Sequence, residues 1–105
     1  MRILDRGVPA PLRDSLGDQT IATAYEMGWA ELDNGALMIS AEAAFDALVT
    51  THQDLRYQQN LAGRRLAVLI LPTTSWPRIQ AHVSQVVEAV SGLRPGEFRE
   101  LTFRA

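Results

Sequence analysis

The stretch that most constrains this chain is Leu66 to Leu71, LAVLIL, an unbroken apolar run introduced by Arg64-Arg65 and closed by Pro72. It is too short for a buried helix and does not alternate, so it reads as a strand covered on both faces. Ala47, Leu48 and Val49, running into Thr50-Thr51, form a second stretch of the same kind. Strands buried on both faces belong to parallel sheets, where crossover helices supply the cover.

The intervals between the strands supply those helices. Met1 to Asp5, MRILD, reads as a first strand handing over to a loop at Gly7. Pro9 and Pro11 suit the first turn of a helix through Leu16, because proline's missing N–H is not needed there, and Gly17 ends it. Thr20 to Ala24 is a second strand, and Tyr25 to Trp29 a helical turn stopped by Gly28. Asp33-Asn34-Gly35 is a helix-start signal, after which Leu37, Met38, Ala41 and Ala44 fall at helical spacing. A helix is expected over Asp54 to Leu61, ended by Gly63. A further one is expected from Pro77 to Ser91, with Ile79, Val83, Val86, Val87 and Val90 as an apolar stripe. Glu97 to Phe103 reads as an edge strand. The predicted fold is therefore α/β, a mostly parallel central sheet with helices on both faces in a single domain over residues 1–105.

Composition narrows the function classes. A chain of 105 residues that is 47% hydrophobic has one modest core. It contains no cysteine, which excludes thiolate metal sites and thiol nucleophiles and points to a reducing cytoplasm. No apolar run is long enough to span a bilayer. The net charge of -2 argues against a broad basic surface for nucleic acid, so a polyanion would have to be met locally. All ten cationic residues are arginine. Arginine favours planar, bidentate contact with phosphate or carboxylate.

In open parallel sheets ligands gather outside the carboxyl ends of the strands. Asp5 stands at the end of the first strand, and His52 and Asp54 just past the end of the strand that closes on Thr50-Thr51. Asp33 heads the middle helix, where its charge also suits the positive end of the helix dipole. Thr-Thr-His-Gln-Asp is equally a helix entry whose side-chain oxygens cap free N–H groups. Topology would let Asp5, Asp33 and Asp54 converge at one sheet edge.

The opening MRILD-RGVP, the middle DNGALM and the segment FDALVTTHQDLRYQQNLAGRR resemble a bacterial family of small PIN-like domains related to VapC-type toxins. The resemblance covers nearly the whole chain. It implies a parallel sheet between helices and clustered carboxylates that bind Mg2+ or Mn2+ for RNA cleavage. Carried over by position, Asp5, Asp33 and Asp54 are the implied metal ligands, and Asp5, Asp33, His52 and Asp54 the implied catalytic set. Arg56 and Arg64 would hold phosphate. Asp5 is expected to face solvent. The implied partners are RNA and a cognate antitoxin protein; separately, the breadth of the stripe from Ile79 to Val90 on so small a chain leads to the expectation of a homodimer through the late helix or the helix after Gly35, and no membrane is expected.

Two departures from the family pattern stand out: the first strand is one residue short, and His52 occupies a position that usually carries aspartate. Imidazole there removes an oxygen donor and a negative charge, which weakens magnesium more than manganese. With an unperturbed pKa of about 6.5, it is alternatively a general base. The readings that follow are a metal-dependent ribonuclease and a catalytically impaired module acting by protein or RNA binding. A receiver-like regulatory domain is the third, and it lacks both an adjacent acid pair and a lysine.

Overall fold

In the computed structural model, which describes residues 2–5, 7–9, 11–17, 21–29, 31–51 and 65–103, five strands form one parallel sheet. They are β1 (Arg2–Leu4), β2 (Ile21–Thr23), β3 (Ala47–Thr50), β4 (Ala67–Ile70) and β5 (Phe98–Glu100), in the spatial order β2-β1-β3-β4-β5. Every pair among them is parallel; Ile3 lies opposite Ala22 and Leu48, and Leu48 opposite Val68. Among the described residues the helices are α1 (Leu12–Ser15), α2 (Asn34–Ala44), α3 (Trp76–Ala81) and α4 (Val83–Ser91). The predicted α/β sheet is thus present, all-parallel where mostly parallel was expected. The helix expected over Asp54 to Leu61, together with His52, Asp54, Arg56 and Arg64, lies outside the described residues.

The strand period of two divides the apolar runs between two cores. Ile3, Leu48, Val68 and Ile70 point to one face and pack with Leu37, Met38, Ala41 and Phe45, that is, with α2 and its end. Trp29 closes this layer by meeting Phe45 edge-on, with ring centroids 5.8 Å apart at 89°. Leu4, Val49, Leu69 and Leu71 point the other way, into Leu12, Leu16, Ile79, Val86 and Val90 of α1, α3 and α4. This is why LAVLIL does not alternate: both of its faces are interior. A radius of gyration of 12.5 Å is that of one compact body of this length.

The late helix differs from expectation. Instead of running unbroken from Pro77 to Ser91, it breaks at His82, whose backbone sits at φ -122° and ψ 26°. The cause is tertiary. The His82 ring stacks on Phe103, with centroids 4.5 Å apart and planes within 7°, and its Nδ1 lies 3.0 Å from the Arg78 carbonyl oxygen. The valine stripe turns inward: Val86 and Val90 are buried, and Val83 and Val87 are partly buried against the same core. The stripe thus serves as core, with Val83 and Val87 at its partly buried margin. No helix among the described residues is long and apolar enough to cross a membrane.

Candidate functional site

The strand order reverses direction around β1, so the crevice between the ends of β1 and β3 is the topological switch point, where doubly wound sheets bind ligands. Asp5 stands there. Its N–H donates to the Val49 carbonyl at 2.9 Å, extending the β1–β3 ladder by one residue, and its own carbonyl accepts from the Val8 N–H at 3.0 Å, turning the chain away. Asp5 is 4% exposed, which corrects the expectation of a solvent-facing acid. Its burial follows from the ladder continuing beyond Leu4.

One partner that offsets this burial is Thr50, itself 1% exposed at the end of β3. Its hydroxyl donates to Asp5 Oδ2 at 2.8 Å. A buried carboxylate needs such donors to offset lost hydration. Gly7 lets the two chain segments close over this pair, since a Cβ there would collide with the Thr51 hydroxyl oxygen. Asp5 opens onto a cavity of about 560 Å³ whose wall includes Arg13, Thr23, Tyr25, Glu26 and Trp76.

The Arg13 and Glu26 side chains frame that cavity as a pair. Arg13 donates to Glu26 Oε1 at 2.7 Å and to the Ile21 carbonyl at 2.9 Å. Glu26 also accepts from the Thr23 N–H at 2.9 Å, while the Thr23 hydroxyl accepts from the Glu26 N–H at 3.2 Å. The Arg13 hydrogen bond, then the Thr23 amide, hold the Glu26 carboxyl below its ordinary range. The cavity rim therefore keeps its charges locally balanced.

Asp33 is placed at the same sheet edge, because α2 starts there before descending to β3, but it is not among the residues that line the Asp5 cavity. It is the N-cap of α2, with Oδ1 accepting from the Ala36 N–H at 2.8 Å. Such a cap contributes about 1 kcal/mol. Among the described residues no group of three or more acidic or histidine side chains is arranged to hold a metal. Magnesium often takes one or two carboxylates, with water and phosphate oxygens completing the octahedron. The hard oxygens of Asp5 and Thr50 fit that chemistry as one part of such a set, and the implied further acids are Asp33 and Asp54.

Sequence reasoning missed Thr50 as the partner of Asp5 and missed the Arg13–Glu26 pair. A threonine closing an apolar strand beside an acid closing another is the signal for the first, once the two strands are taken as neighbours. For the receiver-like reading, the order β2-β1-β3-β4-β5 is that of flavodoxin-like sheets. Its chemistry is missing, since Asp5 is followed by Arg6 rather than an acid and the chain has no lysine. No family model, curated protein or solved structure matches this chain.

Proposed function

We propose that the chain is a PIN-like, divalent-cation-dependent ribonuclease acting in the cytoplasm as the toxin component of a toxin–antitoxin pair. The observation that carries the reading is the buried Asp5 carboxylate held by Thr50 at the β1–β3 switch point, facing a cavity. Asp5, with Asp33 and Asp54, would hold Mg2+ or Mn2+. Such a cation supplies Lewis acidity toward a phosphodiester and lowers the pKa of water. Thr50 fixes the carboxylate so that its geometry is set before a cation arrives. Tyr25, 71% exposed at the cavity, gives an unpaired base an aromatic surface. Among the described residues, Tyr25 and Met27 beyond β2, with Ile39 on α2, are the exposed large apolar side chains against which an antitoxin or a second copy would pack.

A second reading, a catalytically impaired module binding RNA or protein, is favoured by the departure at His52. Calorimetric titration with Mn2+ and Mg2+ separates the two, with RNA cleavage followed in parallel. For the ribonuclease, Asp5→Asn should weaken Mn2+ binding by at least about tenfold with its far-UV spectrum unchanged. His52→Asp should tighten Mg2+ and raise cleavage, by restoring an oxygen ligand. If Asp5→Asn binds Mn2+ as the parent does, the ligand set is wrong and the binding module stands.

A further inference from the structure

The opposite edge of the sheet carries a second cavity, of about 510 Å³, on the far side of β1 from Asp5. Its charged wall consists of Arg2, Glu42, Asp46, Arg65 and Arg94; the remainder is alanine, leucine, proline and phenylalanine. Parallel pairing brings these groups together from distant segments. Arg2 opens β1 opposite Ala47, which follows Asp46, and Ala47 lies opposite Ala67, two residues after Arg65. Arg94 is delivered by the turn before β5. The Gly96 N–H donates to the Arg65 carbonyl at 2.8 Å, the Arg94 N–H to Glu97 Oε1 at 3.0 Å, and Gly96 adopts the φ of 77° that the turn needs.

Two features of this wall point to an anion. The guanidinium groups exceed the carboxylates by one, in a chain whose net charge is -2. The Arg2 Nε–H is also buried and meets no acceptor among the described residues. Buried donors are almost always satisfied, and an oxyanion is the acceptor that a guanidinium matches best. The volume lies within the range of small-molecule sites, and the apolar wall suits a ligand with a carbon body.

We propose that this cavity binds a small organic oxyanion, a carboxylate or a phosphate monoester, through Arg2, Arg65 and Arg94. The site is independent of the cation chemistry assigned to Asp5.

Benzoate, phenyl phosphate and inorganic phosphate, each titrated into the full chain up to about 20 mM and followed by amide NMR shifts, test this at the weak affinities such probes have. We expect saturable shifts at Arg2, Ala43 to Ala47, Arg65 and Arg94 with both organic probes, and the tighter of the two names the oxyanion class. Binding should weaken by at least about tenfold in Arg65→Gln/Arg94→Gln, whose exposed substitutions leave the remaining spectrum in place, and should persist in Asp5→Asn. Tighter phenyl phosphate than benzoate supports the site and assigns its ligand to the phosphate source. No saturable shift with any probe, binding indifferent to the double substitution, or inorganic phosphate as tight as both organic probes overturns the proposal.

Discussion

Thr50→Val is the perturbation that interrogates the Asp5 site with least disturbance. Valine keeps the branched shape and suits a strand, so what disappears is the hydroxyl and its 2.8 Å hydrogen bond to Asp5 Oδ2. Both side chains are buried, at 1% and 4% exposure, so water does not readily replace the bond. A hydrogen bond to a carboxylate contributes roughly 1.5 to 3 kcal/mol, and a neutral one about 1 kcal/mol. Thr50→Val should therefore cost about 2 kcal/mol in the parent and about 1 kcal/mol in Asp5→Asn, a coupling of about 1 kcal/mol. With a urea m-value of about 1.5 kcal/mol/M, the parent midpoint falls by about 1.3 M with m unchanged. Manganese affinity should drop by about tenfold, the usual effect of losing the group that orients a ligand. An equal cost in both backgrounds, or a loss below about 0.5 kcal/mol, would refute the view that Thr50 acts through Asp5.

Gly7→Ala should destabilise the chain by about 1 to 3 kcal/mol, because the new methyl group meets the Thr51 hydroxyl oxygen; adding Thr51→Ala should recover most of the loss in urea melts. Glu26 has its carboxyl held low by Arg13, so its contribution to stability is present above the ordinary glutamate range and is lost as pH falls through its lower folded value. Urea midpoints of the parent should thus decline on acidification below about pH 4.3 more steeply than those of Glu26→Gln, and parallel curves would dismiss the pair.

The strands were readable because their apolar runs state directly that both faces are covered. LAVLIL and Ala47 to Val49 became β4 and β3, and the helix start at Asp33 fell on the N-cap observed for α2. What could not be read depends on contacts between remote residues. The break at His82 comes from stacking on Phe103, twenty-one positions later, and no local breaker announces it. The Arg13–Glu26 pair spans thirteen positions across two elements. Asp5 looked solvent-facing because an acid after a strand usually begins a loop, whereas here the ladder with β3 continues through its N–H. Asp33 shows the opposite limit: its capping role is local and legible, while any role beyond the cap depends on segments that sequence spacing does not bring into register.

Parallel topology explains why chemistry and sequence position separate so cleanly in this chain. Because every described strand runs the same way, residues before a strand collect at one edge and residues after it at the other. Arg2 opens β1, while Asp46 and Arg65 lie just before β3 and β4, and all of them line the first edge; Asp5, Thr50 and Thr74 belong to the second. The two edges thereby acquire different chemistry: three guanidinium groups with Glu42 and Asp46 around the Arg2 Nε–H at one, and a buried Asp5 with its hydroxyl donor, beside the Arg13–Glu26 pair, at the other. β1 links them directly, since Arg2 and Asp5 are only three residues apart. An anion at the first edge and a cation at the second would each bind a separate end of that strand. Both would stabilise the folded chain by mass action, so saturating either site should raise the urea midpoint even where the other has been removed.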